Sequence, residues 1–232
     1  MKVGKGYADY PSLAHSGPAY QIFVMTRAIL PILLALLLTW PVHTDAAPLS
    51  DDDKDDIARI ETYLNGITTM SSRFNQRSST GNVASGLLYL SRPGRMRFEY
   101  DPPAQILLVA DGLFLVYVDR ELEQISNVPI SRTPLRVLID DDVNLISAYD
   151  IAAIDRRAGT LAIILTLKED PDGGMVRLLF ADKPLQLKQW LIRDARGVEV
   201  RVSLLDLQRG MKLDPTLFQI NPHMFEDVES RP

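Results

Sequence analysis

The chain has no cysteine in 232 residues. That excludes disulfides, thiol nucleophiles, cysteine metal sites and lipid attachment to an N-terminal cysteine. Histidine is nearly as scarce, with His15, His43 and His223 only. A nucleophile–base triad is therefore hard to assemble, and no serine sits in a Gly-x-Ser-x-Gly elbow. No phosphate-cradling glycine loop and no zinc-ligand spacing occurs. Basic residues do not outnumber acidic ones: 25 Lys and Arg face 30 Asp and Glu. An acidic chain is a poor partner for nucleic acid. These absences disfavour an enzyme and leave a binding protein, with no metal and no cofactor expected.

Long apolar runs are also missing. The one apolar stretch, Ala28 to Trp40, is about thirteen residues, short of the ~20 needed to cross a bilayer. It follows Arg27 and precedes Thr44-Asp45-Ala46-Ala47, so it reads as a cleavable export signal over residues 1–46, with residues 1–24 upstream of a possible second start at Met25. Cleavage after Ala46 removes Lys2, Lys5, Arg27, Asp9 and Asp45. The remaining 186 residues then carry 22 basic and 28 acidic side chains against 25 and 30 in the whole chain. At that length residues 47–232 are expected to form one domain.

What is present is alternation. After a helix expected from the Ser50 cap to Asn65-Gly66, with Ile57, Ile60 and Leu64 on one face, apolar and polar residues alternate from Thr68 onward. Eleven strands are expected near 68–78, 82–91, 95–100, 105–110, 113–119, 122–127, 150–156, 161–168, 175–181, 185–193 and 198–207. Short turns separate them, among them Arg92-Pro93-Gly94, Asp111-Gly112 and Pro171-Asp172-Gly173-Gly174. No crossover helices intervene, so the sheet is an antiparallel meander. Thr133 as N-cap and Pro134 at the first helical position predict a short helix with Leu135, Leu138 and Ile139 on one face. Asp140-Asp141-Asp142 reads as a solvated turn. Asp214-Pro215 precedes an expected closing edge strand.

The strand Arg95 to Tyr100 is the most informative. Met96, Phe98 and Tyr100 share one face and Arg95, Arg97 and Glu99 the other. A curved, unclosed sheet with one apolar face has to be covered, and two short helices are too small to fill it as a tight core. From the residues alone, Met96, Phe98 and Tyr100 are either the filled core of a half-buried strand or the wall of a lipid-sized cavity.

In combination, the first helix, Met70 to Gln76, Leu87 to Pro93 with Phe98-Glu99-Tyr100, Val109 to Tyr117, Thr133-Pro134-Leu135 and Leu213 to Pro222 resemble the LolA family of periplasmic lipoprotein carriers. The resemblance implies a mainly β fold, an incomplete antiparallel β-barrel of about eleven strands with a short helical lid. It implies a periplasmic carrier of triacylated lipoproteins, loaded by an inner-membrane ABC transporter and unloaded at an outer-membrane receptor, with a monomer expected. Met96, Phe98, Tyr100, Leu135 and Leu138 become the acyl-chain wall. Arg92 becomes a latch toward Thr133 and Pro134, bonded to backbone carbonyls between Thr133 and Leu138. The wall position is Met96 where the family pattern has an aromatic. A carrier of another lipid, or a lipoprotein-sensing regulatory module, are the alternatives.

Overall fold

The computed structural model describes residues 48–220. The export signal expected over residues 1–46 and the tail with His223 lie outside the described residues. Helix α1 spans Asp51–Asn65. It starts where the sequence predicts because Ser50 and Asp53 cap each other. The Ser50 hydroxyl accepts from the Asp53 N–H at 3.1 Å, and the Asp53 carboxylate accepts from the Ser50 N–H at 3.0 Å. Three aspartates in the first turn complement the helix dipole. The face carrying Ile57, Ile60, Tyr63 and Leu64 is buried.

Eleven strands follow: β1 Thr69–Ser78, β2 Val83–Ser91, β3 Arg95–Tyr100, β4 Ile106–Asp111, β5 Phe114–Asp119, β6 Gln124–Pro129, β7 Tyr149–Arg157, β8 Thr160–Leu167, β9 Asp170–Ala181, β10 Gln186–Asp194 and β11 Glu199–Arg209. They form a single antiparallel sheet in the order β6-β5-β4-β3-β2-β1-β11-β10-β9-β8-β7. The two meanders therefore join through the first and last strands, with Phe74 opposite Leu204 and Gln76 opposite Val202. β6 and β7 are the two ends of the sheet and do not pair with each other, so the barrel is incomplete.

Alternation places Met70, Phe74, Leu88, Leu90, Met96 and Phe98 on the concave side, in one buried cluster with Val176, Leu178, Phe180, Trp190, Val202 and the apolar face of α1. Close packing here has a backbone condition. A Cβ on Gly86 would lie 2.0 Å from the Glu99 carbonyl oxygen and 2.9 Å from the Phe74 ring, so only glycine fits.

Three local expectations change. The helix expected from Pro134 with Thr133 as its cap is present as a 3₁₀ turn, Pro134–Leu138, not an α-helix, and another 3₁₀ turn, Ile130–Arg132, precedes it. Proline can start the later turn but has no N–H to continue the earlier one. The Pro171–Gly174 run is not a turn: it lies inside β9, and Lys168-Glu169 makes the reversal. The extra length is absorbed by a register shift after Thr166, where Thr166 faces Met175 and Leu167 faces Asp170. The C-terminal segment is not an edge strand but a 3₁₀ turn, Pro215–Phe218, capped by Asp214. Leu107, Val109, Val116 and Val118 form a second small cluster, packed by Ile220. Arg97 ties the turn to β3 by donating to the Leu217 carbonyl at 2.9 Å. A further single helical turn, α2 Leu145–Ala148, was not expected.

Candidate functional site: the roofed concave face

β3 supplies the centre of the concave face. Met96 and Phe98 are 1 % and 3 % exposed, and Tyr100 is half-buried beside them. Phe74 meets Phe98 and Tyr100 edge-on at 5.1 and 5.2 Å, and Trp190 meets Phe98 edge-on at 6.2 Å. Each such pair contributes about 0.5–1.5 kcal/mol beyond its area. Phe74 and Trp190 complete this aromatic floor and were missed as site residues. They sit on β1 and β10, which are not neighbours; Phe74 reaches β3 across Gly86, which faces Phe74 on one side and Tyr100 on the other, and Trp190 comes from beyond β11. Tyr100 donates to the Gln76 side-chain oxygen at 2.8 Å, and burial pushes its hydroxyl up to about 12. It stays neutral, so the floor carries no charge.

The roof has two parts. α1 is one, fixed at its start by Arg156, which reaches Asp53 and Asp56 at 2.7 Å each, and by Arg59, which reaches Asp182 at 2.7 Å. The Pro134–Leu138 turn is the other. Thr133 caps it by accepting from the Leu135 N–H at 3.3 Å, Pro134 is buried, and Leu135 and Leu138 are each 4 % exposed within the same cluster as Met96 and Phe98. Arg136 braces the turn against Asp140 at 3.2 Å and Glu169 at 3.8 Å. The end of α1 is tied to the segment that follows that turn: Asn65 both accepts from and donates to the Val143 backbone, at 2.8 and 3.0 Å, and Glu61 accepts from the Leu145 N–H at 2.7 Å.

Arg92 stands at the junction, but not with the expected partner. Its guanidinium donates to the Leu64 carbonyl in the last turn of α1, not to carbonyls between Thr133 and Leu138. The physical reason is the helix end. α1 has no basic residue in its last turn, and Arg92 on the β2–β3 turn supplies the cation that the exposed carbonyls favour. The link to the lid runs through backbone instead, with the Gly94 N–H donating to the Ile139 carbonyl at 2.7 Å. Nε and Nη2 of Arg92 are buried without a hydrogen-bond partner among the described residues. Burial lowers the Arg92 pKa, and the Asp140, Asp141 and Asp142 carboxylates oppose that shift. The arginine thus lies between a helix end and an acidic run, held by one of its donors.

A separate cleft of about 1090 Å³ opens near the other end of β1 and β2, lined by Asn75, Gln76, Arg77, Asp101, Gln189, Arg201 and Ser203 among others. Val83, Pro102, Pro103 and Ile106 share this lining with the polar and charged groups, so it is mixed in character, unlike the uncharged floor. No group of three or more His, Asp or Glu side chains is placed to hold a metal among the described residues.

Comparison with known proteins adds to this geometry. The family model for the outer membrane lipoprotein carrier protein LolA matches residues 65–221. An outer-membrane lipoprotein carrier protein of Nitrosomonas europaea is 25 % identical over 215 residues, covering 88 % of this chain and 98 % of the relative. One from Methylococcus capsulatus is 26 % identical over 180 residues, covering 74 % and 86 %. One from Pseudomonas syringae pv. syringae is 30 % identical over 176 residues, covering 72 % and 81 %. With its helix-roofed, unclosed sheet and a family match across most of its length, the chain belongs to the LolA family of outer membrane lipoprotein carriers.

Proposed function

We propose that this chain is a periplasmic chaperone that holds the acyl chains of triacylated lipoproteins against its concave face. In this reading it takes them from an inner-membrane ABC transporter and gives them to an outer-membrane receptor, after export directed by residues 1–46. Met96, Phe98, Tyr100, Leu135 and Leu138 contact the chains. Arg92, Thr133 and Pro134 control the roof. The observation that carries the reading is an uncharged aromatic and aliphatic floor beneath a roof made of two separately tethered pieces.

The energetics suit a carrier. Each methylene taken out of water contributes ~0.8 kcal/mol, so part of one acyl chain is enough for binding without a polar anchor. Release is then the harder step. A roof whose closure competes with the ligand lowers net affinity by the free energy of closure, so cargo can pass to a tighter acceptor. Arg92 suits that role because its charge is buried for a single hydrogen bond, which leaves the closed state only modestly favoured.

Native mass spectrometry of the protein with a purified triacylated lipoprotein tests the reading. A one-to-one complex is expected, and it should disappear when the lipoprotein is deacylated. A complex that persists without acyl chains would refute it, and co-purification of a different lipid would favour a carrier of that lipid. Arg92→Leu should remain folded and accept cargo but fail to pass it to acceptor membranes carrying the receptor. Transfer equal to wild type would remove Arg92 from the release step.

A further inference from the structure

The sheet has two ends, and they are built differently. β7 carries Asp150, Asp155, Arg156 and Arg157, has a register shift between Ile151 and Ala153, and is tied through Arg156 to α1. Charges and bulges of this kind stop an edge from pairing with another chain. β6 has none of them. From Gln124 to Val128 it carries no charge, pairs with β5 without a shift, and is exposed along that whole length. Its outer row of N–H and C=O groups faces no strand among the described residues.

The hairpin that ends in β6 is also unusually apolar outside. Leu113, Phe114, Tyr117, Leu122, Ile125 and Val128 are six of the nine large hydrophobic side chains that are exposed among the described residues. Register fixes their sides. Ile125 pairs with Val118 and shares the outer face, while Val128 pairs with Leu115 and shares the concave-side face. The hairpin tip is acidic: Glu121 and Glu123 are exposed and join no ion pair among the described residues, and Arg120 is the one cation of the turn. Glu123 holds φ at +52°, a conformation that Gly or Asn adopts more easily.

We infer that β6 is a docking edge for an extended segment of a partner protein, which adds as a twelfth strand antiparallel to β6 and brings basic residues to the hairpin tip. Antiparallel pairing follows the rest of the sheet and is the more stable ladder. The register then specifies the segment. A side chain opposite Val128 and one opposite Ile125 lie three residues apart in the partner, one on each face, and both are apolar. Lys or Arg follows two or more residues later, opposite Glu123 and the turn. The edge lies outside the roofed interior, so the inference does not depend on acyl-chain binding.

The test uses the peptide Ac-STVTSITKK-amide, with a second form ending in two glutamates. Backbone amide exchange of the whole protein is followed by NMR, and affinity by anisotropy of the labelled peptide. The expected result is slowed exchange at β6 amides with β7 amides unchanged. Affinity should fall at least tenfold for the glutamate form at low salt, and at least tenfold for Ile125→Lys and for Val128→Lys. Both variants alter exposed side chains, and unchanged thermal midpoints would verify their folding. Unprotected β6 amides at millimolar peptide, or equal binding of the two peptides, would overturn the inference. A concentration-dependent dimer abolished by Ile125→Lys would assign the edge to a second copy and overturn it equally.

Discussion

Phe98 sits at the centre of the packing on the concave face. It touches Tyr100 and Trp190 and stacks edge-on against Phe74, and it is almost fully buried. Truncation to alanine removes a ring from a packed cluster, so Phe98→Ala should lower the free energy of unfolding by about 3–5 kcal/mol, read by urea denaturation. A loss under 1 kcal/mol would mean that the floor is loosely packed around it. The inward placement of Phe98 was legible in the sequence, since Met96, Phe98 and Tyr100 at period two announce one face of a strand. The partner of Arg92 was not. Its acceptor, the Leu64 carbonyl, belongs to the end of a helix 28 residues earlier, and no local pattern reports which carbonyls a turn arginine will meet.

At the scale of elements, the apolar face of α1 is buried on the sheet and charged contacts add a clamp at its start. Hydrogen bonds from Ser50 and then Arg156 hold the Asp53 carboxyl at about 2, below its ordinary 3.8. A depressed carboxylate pKa contributes stability that is complete above the unfolded value and is lost as pH falls through the folded one. The α1 clamp should therefore be intact at pH 5 and weaken between about 4 and 2. Carboxyl NMR titration with amide exchange across Asp51–Asn65 would detect this. An Asp53 midpoint near 4 would rule the clamp out. The helix itself was readable from Ser50, Asp53 and the Ile57/Ile60/Leu64 spacing. The Pro134–Leu138 lid turn was readable in position but not in type, because five residues behind a proline can close a 3₁₀ turn as well as an α one.

For the whole molecule, strict alternation and short turns made the eleven strands legible, with ends within a few residues of those observed except at β9. Sheet order beyond neighbouring strands was less so, because the pairing of β1 with β11 depends on which side chains meet across more than a hundred residues. The same distance obscured the convergence of Phe74 and Trp190. It also obscured the outer cluster that Ile220 completes, since the terminal segment reads locally as one more strand.

The β1–β11 ladder also bears on how this chain reaches its native state. Every other ladder joins strands adjacent in sequence, so β1 to β6 and β7 to β11 can each build up from hairpins early, but the two arrays meet only in the β1–β11 ladder, which needs the first and the last strand together. Contacts at such separation are slow to form because the loop entropy is lost before they stabilise anything. Folding should accordingly be late and cooperative, and the apolar concave face stays open to water, and to other chains, until the final strand arrives.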